Sequence, residues 1–303
     1  MKKKVLVIGG SYFLGRVFNI LASQQDDADI VVVNRGRFQL NKPNITEFVS
    51  ERHDVDTLRF VLASLKFDAV VDFCAYEPND IALITSILPD AFKQYIHIST
   101  SSVYDPTDFS VKTEQSALAS YFPNDPVSQY IEKKLLLESE LKDRCMNSDL
   151  AYTIIRPSFI YGPFNYAPRE SFFIEKIVKG ELVPMPIDAT SRFSMVYVFD
   201  VARALLACIG NTDTFGATFN SSAPDPISYQ LLFDELTRCN GGAFPIEEVT
   251  IRRVTDENIP LPFPLDNDVL CDGTYLSQVT GVSYTSFSEG MDKTFASFKN
   301  VFS

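Results

Sequence analysis

The fold of this chain is decided by the stretch Val5-Leu6-Val7-Ile8-Gly9-Gly10-Ser11-Tyr12-Phe13-Leu14-Gly15. Its first four residues are apolar and three of them are β-branched, which is typical of a strand buried on both faces. Gly9 and Gly10 permit a tight turn, and an apolar-periodic run that opens at Gly15 predicts a helix. Such a unit directs backbone N–H groups and the positive end of a helix dipole at one point, which favours a phosphate. The stretch therefore predicts a dinucleotide site, with an ordinary βα turn that binds no ligand as the alternative.

Length and charge limit the class of protein. The chain has 303 residues, 46% of them hydrophobic, and a formal net charge of −12. This length suits one large domain or one domain with a smaller lobe. The acidic balance makes nucleic acid an unfavourable partner, and no stretch reaches the ~20 apolar residues of a membrane span. We therefore expect a cytoplasmic protein that acts on a small molecule and is not bound to a membrane, with a homodimer as one assembly that the sequence allows.

Cysteine and histidine are sparse. The five cysteines form no Cys-x-x-Cys pair, and neither His53 nor His97 stands at metal-ligand spacing. Core thiols and no metal site are expected. Any proton chemistry must then come from Tyr, Lys, Ser, Thr, Asp or Glu.

Strand-like and helical patterns alternate through the first half of the chain. Strands are predicted at 29–34, 45–49, 68–74, 95–99 and 152–155, with a long helix over 127–146. This alternation predicts an α/β fold with a doubly wound parallel Rossmann sheet and a smaller C-terminal substrate lobe. We place the dinucleotide-binding domain at 1–165 and the mainly substrate-binding lobe at 166–303, with a part at about 193–220 returning to the main sheet.

The end of the second strand bears on the cofactor. In dinucleotide folds an Asp or Glu at this point hydrogen-bonds the ribose 2′-hydroxyl of NAD. Here the sequence reads Asn34-Arg35-Gly36-Arg37, without a carboxylate. Arg35 can hold a 2′-phosphate, which favours NADP over NAD, although both arginines can equally belong to a solvated loop.

Tyr130 and Lys134 form the candidate acid–base pair. They stand at i and i+4 on the long helix and so share one face. A lysine ammonium beside a tyrosine stabilises the phenolate and is expected to lower its pKa, so that the phenol can exchange a proton with a substrate hydroxyl. The run Ser99–Tyr104, at the end of the fifth strand, adds hydroxyl groups at the same edge of the sheet. The alternative is a charged helix in which Tyr-x-x-x-Lys occurs by chance.

With these motifs in order, the chain resembles the extended short-chain dehydrogenase/reductase family, also called the NAD-dependent epimerase/dehydratase family. Further matching segments are Arg156–Pro163 and Val196–Ala202. The resemblance implies Tyr130 as acid/base, Lys134 as its partner and Thr100 as the hydroxyl that polarises the substrate. The predicted cofactor-binding residues are Gly9, Gly10, Ser11, Tyr12, Phe13, Leu14, Gly15, Asn34, Arg35, Glu51, Arg52, Phe73, Cys74, Ala75, Ser99, Tyr130, Lys134, Pro157 and Ser158.

Two departures from the family pattern narrow the expected activity. Tyr12 stands where the family usually has glycine, and this is similar to atypical members, some of which lack the catalytic tyrosine and bind RNA. Ser101 and Ser102 stand where the sugar-nucleotide dehydratases carry acidic residues, which disfavours dehydration. The main hypothesis is an NAD(P)-dependent oxidoreductase or epimerase, and the alternative is an inactive cofactor-sensing or RNA-associated protein.

Arginines in the second half suggest how a substrate is held. Arg169 and Arg192 stand in predicted loops, where they could grip the diphosphate of a nucleotide-sugar, or simply be surface residues with acidic neighbours. The predicted substrate-binding residues are Ser101, Ser102, Tyr161, Arg169 and Arg192.

Overall fold

The structure is a computed structural model that describes residues 2–26, 28–88, 92–146 and 148–303. The strands are β1 Lys3–Ile8, β2 Ala28–Asn34, β3 Ile45–Val49, β4 Ala69–Asp72, β5 Gln94–Ile98, β6 Ala151–Pro157, β7 Phe159–Tyr161, β8 Val183–Pro186, β9 Arg192–Phe193, β10 Met195–Tyr197, β11 Ala217–Ser221, β12 Ile227–Ser228 and β13 Ile246–Val249. The α-helices are α1 Phe13–Ala22, α2 Val55–Leu62, α3 Asp80–Ile87, α4 Pro126–Met146, α5 Glu170–Lys179, α6 Val198–Cys208, α7 Tyr229–Asn240, α8 Ile251–Glu257, α9 Thr274–Thr280 and α10 Phe287–Phe302.

Seven parallel strands form the main sheet, in the order β11-β6-β5-β4-β1-β2-β3. The chain runs outward from β1 through β2 to β3 and then returns to β4 on the other side of β1. This confirms the predicted doubly wound α/β sheet. The strand order reverses between β1 and β4, and ligands of such sheets bind in the crevice beyond the carboxyl ends at this point.

Helices cover both faces of the sheet. On one face Val5 and Val7 belong to a core that includes α1 and α6, which pack on each other. On the other face Leu6 and Ile8 belong to a core with α2, α3 and α4. These four residues of β1 are at most 1% exposed. The uninterrupted apolar run therefore reflects a strand covered on both sides, as predicted.

The second half contributes to both parts of the molecule. β11 pairs with β6 at the edge of the main sheet, and α6 packs on α1. α5 and α7 both pack against α10, beside the two-stranded pairs β7–β10, β8–β13 and β9–β12. The division near residue 165 stays a prediction.

Side chains and backbone set the starts of the helices near the site. Asp54 Oδ1 accepts a hydrogen bond from Thr57 N at 3.1 Å and caps α2, as its sequence position indicates. α1 begins at Phe13, two residues before the start that the apolar period predicts at Gly15. The reason is that Tyr12, with an extended φ of −120°, serves as its N-cap. No helix in the described part of the chain is both long and apolar enough to cross a membrane.

Candidate active site

A cleft of about 720 Å³ lies at the carboxyl edge of the main sheet. All the predicted catalytic residues and all the predicted cofactor-binding residues except Ala75 line it. Arg169 is the one predicted substrate-binding residue in its wall. Lining residues that the sequence prediction missed include Val33, Arg37, Ser50, His53, Tyr76, Ile98, Ile160, Asn165, Tyr166 and Ala167.

The glycine turn after β1 forms a close-packed cradle. Gly9 and Gly10 have φ values of 89° and 82°, which disfavour any residue with a side chain. A Cβ on Gly10 would lie 2.5 Å from Asn19 Nδ2, which donates a 2.9 Å hydrogen bond to the Gly10 carbonyl. A Cβ on Gly15 would lie 2.5 Å from Gly10 Cα. The turn and the start of α1 can approach this closely only with glycine at these positions.

Aromatic rings surround the first turn of α1. The Tyr12 ring packs edge-on against Phe38 at 4.6 Å and against Tyr166 at 6.3 Å. Phe38 follows β2 and Tyr166 follows β7, so Tyr12 joins two walls of the cleft. Tyr12 makes no side-chain capping bond, which leaves first-turn backbone N–H groups of α1 for a ligand.

The end of β2 carries exposed positive charge. Asn34 Nδ2 donates to Glu47 Oε1 at 3.1 Å, and Asn34 Oδ1 accepts from Gly36 N at 2.6 Å. The Asn34 side chain therefore braces the turn. Arg35 and Arg37 are exposed and line the cleft, and neither pairs with a carboxylate among the residues described.

Arg52 belongs to a buried ion-pair network. Its two Nη atoms each lie 3.1 Å from an Asp72 carboxylate oxygen, and Nη2 also donates to the Asp80 carbonyl at 2.8 Å. Tyr95 donates to Asp72 at 2.5 Å. Burial alone would raise the pKa of Asp72, but the charge and hydrogen bonds of Arg52 lower it. The Arg52 side chain, predicted to contact the cofactor, thus supports the cleft wall with its guanidinium.

Lys134 is held at the ends of β4 and β5. It is 3% exposed, and its Nζ donates to the carbonyls of Ala75 at 2.9 Å and Ile98 at 2.8 Å. The same Nζ lies 4.8 Å from the centroid of the Tyr76 ring and 5.9 Å from that of Tyr130. Burial lowers the pKa of Lys134 to about 8.

The environment of Tyr130 corrects one expectation. Tyr130 and Thr100 both line the cleft, and the side chain of Thr100 acts on the pKa of the phenol. Desolvation, with a smaller effect from Tyr166, raises the pKa of Tyr130 to about 12, against the opposing effects of Arg169 and Thr100. The expected lowering by Lys134 is wrong for this structure. The physical reason is that the ammonium points to backbone carbonyls and lies over the ring.

A second buried network, which the sequence did not reveal, lies behind the candidate catalytic residues. Glu138 accepts from Arg156 Nε at 2.9 Å and Nη2 at 2.6 Å, and from Ser99 Oγ at 2.6 Å. Arg156 Nη1 also donates to the Tyr104 hydroxyl at 3.1 Å. Because Glu138 lies two turns after Tyr130 and one after Lys134 on α4, this network ties the catalytic helix to the ends of β5 and β6.

Four predicted substrate-binding residues lie away from the cleft. Ser101 lines a separate cavity of about 20 Å³, and Ser102 donates its backbone N–H to Thr100 Oγ1 at 3.2 Å. Tyr161 is 2% exposed and packs in the core 5.5 Å from the Tyr197 ring. Arg192 pairs with Asp268 at 2.6 Å. Spacing along the sequence could not show the contacts of Tyr161 and Arg192, because their partners are distant in the chain.

Comparison with known proteins assigns the family. Residues 5–220 match the model of the NAD dependent epimerase/dehydratase family. The chain belongs to this family. It is similar to the chloroplast stem-loop binding protein of 41 kDa b from Arabidopsis thaliana, with 28% identity over 264 residues, and the match covers 82% of this chain and 65% of that relative.

Solved structures share the fold along almost the whole chain. A UDP-glucose 4-epimerase aligns with a TM-score of 0.82 at 15% identity, covering 98% of both chains. The UDP-glucuronic acid 4-epimerase of Bacillus cereus, solved with NAD, aligns with a TM-score of 0.80 at 17% identity over 99% of this chain and all of that one. Identity this low establishes the fold alone.

Proposed function

We propose that the protein is an NAD(P)-dependent oxidoreductase or epimerase that acts on a hydroxyl or carbonyl carbon of a small molecule, with Tyr130 as the acid/base. One observation carries the proposal: the glycine cradle, Thr100, Tyr130 and Lys134 all line one cleft. Family membership supports the same chemistry.

The residues present fit a nicotinamide dinucleotide. The Gly9–Gly15 turn, where side chains at Gly10 and Gly15 would clash, leaves close access for a diphosphate at the start of α1. Phe73 and Cys74 line the cleft beside this turn, and Pro157 and Ser158 line it beyond β6. The bound nicotinamide would supply the hydride donor or acceptor of the reaction.

Lys134 and Thr100 prepare Tyr130 for proton transfer. The Lys134 ammonium has three N–H donors, and backbone carbonyls take two of them. The third is left for a ribose hydroxyl. Thr100, which lines the cleft with Tyr130, is in position to bond the reacting oxygen of a substrate. The phenol of Tyr130 then exchanges a proton with this oxygen.

NADP is the proposed form of the cofactor. No carboxylate ends β2, while the guanidinium groups of Arg35 and Arg37 line the cleft there. Arg35→Ser should weaken binding of NADPH by about tenfold or more and change that of NADH little, since one charge-assisted contact contributes about 1.5–3 kcal/mol. Equal effects on the two cofactors would favour the solvated-loop alternative for Arg35.

Tyr130→Phe tests the proposal directly. NADPH binding is measured by fluorescence, and turnover is screened with a panel of carbonyl compounds and sugar nucleotides. We expect the variant to retain NADPH binding and to lose a factor of about 10²–10⁴ in rate. A variant that turns over at the normal rate would rule out Tyr130 as the acid/base, and absence of binding of both NADPH and NADH to the wild type would rule out the proposed function.

A second candidate function is association with RNA. The similarity to a relative named as a stem-loop binding protein favours it, and the resemblance of the Tyr12 turn to atypical family members adds support. The net charge of −12 opposes it, because phosphate contacts from Lys and Arg dominate such affinity. RNA binding at physiological salt, together with NADPH binding but no turnover of any compound in the panel, would establish this second candidate.

A further inference from the structure

Two aromatic rings flank the Lys134 ammonium. Its Nζ lies 4.8 Å from the centroid of the Tyr76 ring and 5.9 Å from that of the Tyr130 ring. Both tyrosines and Lys134 line the cleft. The proposed reaction uses Tyr130 as the acid/base but gives Tyr76 no part. Tyr76 nevertheless has the nearer of the two rings to the buried partner of the phenol.

The backbone around Tyr76 is fixed from two sides. Tyr76 N donates to Asp80 Oδ2 at 2.9 Å, and the neighbouring Glu77 N donates to the same oxygen at 3.0 Å. From the other side Lys133, which precedes Lys134 on α4, pairs with Glu77 at 2.7 Å. The place of the ring over the ammonium is thus supported by contacts that do not involve the phenol hydroxyl.

The carboxylates nearest to Lys134 are occupied by arginines. Asp72 accepts two hydrogen bonds from Arg52, and Glu138 accepts two from Arg156. Among the residues described, no carboxylate lies within ion-pair distance of Lys134 Nζ. Its hydrogen-bond partners are two neutral backbone carbonyls. The ammonium therefore lacks the ion pair that usually accompanies a buried charge.

Burial works against the charge on Lys134. The residue is 3% exposed, and burial lowers its pKa to about 8. The other titratable groups that face it lie on β4, β5, α4 and the segments after β3 and β4. Asp72, Cys74 and Glu138 favour the ammonium, Arg52 opposes it, and His97 is a neighbour whose own pKa the ammonium helps to lower.

The face of the Tyr76 ring offers the ammonium a further source of negative potential. A cation within about 6 Å of the centroid of a tyrosine ring is attracted by the electrons of the ring face, and the attraction grows when water is excluded. This contact takes up no N–H donor, so the third N–H of Lys134 remains for a ribose hydroxyl. Burial raises the pKa of the Tyr76 phenol above its usual value, so the ring stays neutral when Lys134 titrates.

We propose that Tyr76 is a positioning residue whose ring, and not its hydroxyl, keeps the Lys134 ammonium charged and in place beside Tyr130. The inference rests on the proposed function, in which this ammonium serves the phenol and the cofactor ribose. The competing role for Tyr76 is that of a second phenol that carries a proton, and in that role the hydroxyl is the essential group.

Substitutions at Tyr76 separate the ring from the hydroxyl. Tyr76→Phe keeps the ring, whereas Tyr76→Leu and Tyr76→Met are two independent variants without one. Tyr121→Leu is the control, because Tyr121 is 80% exposed and lies outside the cleft wall. Each variant is made with Lys134 and with Lys134→Met, and urea unfolding is followed from pH 6 to pH 11. Subtraction of the two pH profiles leaves the contribution of Lys134 to the free energy of unfolding.

In the wild type this contribution should begin to rise near pH 8, because the folded chain loses the Lys134 proton there while the unfolded chain keeps it up to about 10.5. In Tyr76→Leu and Tyr76→Met the rise should begin at a pH lower by about 0.4–1.5, since cation–π contacts contribute about 0.5–2 kcal/mol and one pH unit corresponds to about 1.36 kcal/mol. Tyr76→Phe and Tyr121→Leu should follow the wild type. An onset that stays in place or moves to higher pH in the variants without a ring would overturn the inference, as would an equal displacement in Tyr76→Phe.

Cofactor binding supplies a second measurement. The affinity of the full chain for NADPH and NADH, measured by fluorescence, should begin to fall near pH 8 in the wild type and at a correspondingly lower pH in Tyr76→Leu, but not in Tyr76→Phe. If both cofactors bind with the same pH dependence in all three proteins, the inference fails while the proposed function stands. If neither cofactor binds, the proposed function fails, and the unfolding profiles decide separately whether the ring holds the charge.

Discussion

Replacing Glu138 by Gln tests whether the network behind the catalytic helix holds the site together. The carboxylate side chain is 2% exposed, and that of Arg156 is 3% exposed. Gln keeps the size but removes the charge, so Arg156 remains buried with a neutral partner. Breaking a buried pair in this way costs about 3–5 kcal/mol, because an uncompensated charge stays in a medium of low polarity. The free energy of unfolding should fall by that amount.

Urea unfolding at pH 7, followed by circular dichroism, measures the change. Glu132→Gln is the matched control, since Glu132 is exposed on the same helix and the same substitution there should change stability by at most about 0.5 kcal/mol. The double variant Glu138→Leu with Arg156→Met should recover much of the loss, because it removes both charges. If Glu138→Gln unfolds at the same urea concentration and slope as Glu132→Gln, the network does not stabilise the fold.

The Glu138–Arg156 pair also predicts how the free energy of unfolding changes with pH. Burial alone would raise the pKa of Glu138, but the hydrogen bonds and charge of Arg156, with a further bond from Ser99, lower it from 4.5. A carboxyl whose pKa is lower in the folded chain contributes stability above its unfolded pKa and loses it as the pH falls. Wild type should therefore lose stability below about pH 4.5 more steeply than Glu138→Gln, and parallel profiles would contradict this.

Three further outcomes concern single residues. His97 is fully buried, both ring nitrogens lack a partner, and burial lowers its pKa to about 3, so stability should fall as the pH drops from 6.5 toward 3. His97→Leu should flatten that profile in urea unfolding, and an unchanged slope would count against it. Burial lowers the pKa of Lys134 to about 8 from 10.5. The free energy of unfolding should therefore increase as the pH rises between these values in the wild type but not in Lys134→Met, and equal pH profiles would refute this explanation. Because the Tyr12 ring joins two walls, Tyr12→Ala should speed both association and release of NADPH in stopped-flow fluorescence, and unchanged rates would show that the ring is no gate.

The main sheet and the cleft could be predicted because their signals are local. The run Val5–Ile8 is apolar since both faces of β1 are covered, and glycine stands at Gly10 and Gly15 since any Cβ would clash. Strands and helices that alternate over short connections favour a parallel sheet. Residues at the carboxyl ends of such strands meet at one edge, which is why Gly9, Cys74 and Thr100 could be placed together.

The direction of individual side chains could not be predicted. Spacing at i and i+4 brings Lys134 near Tyr130, but it does not show that the ammonium turns to the carbonyls of Ala75 and Ile98. Tyr76 follows the same strand end as Cys74, and its ring covers that ammonium. The strand-end rule alone could have added Tyr76 to the candidate residues.

The ion pairs of the arginines could not be predicted from the sequence, and they decide which guanidinium groups stay unpaired at the cleft. Arg192 and Asp268 are 76 positions apart and Arg52 and Asp72 are 20 apart, so only the fold brings these charges together. Each pair removes a cation that would otherwise attract phosphate. The unpaired guanidinium groups at the cleft then lie after β2, at Arg35 and Arg37, and before α5, at Arg169. In a chain of net charge −12, these two positions keep local positive charge at the cleft.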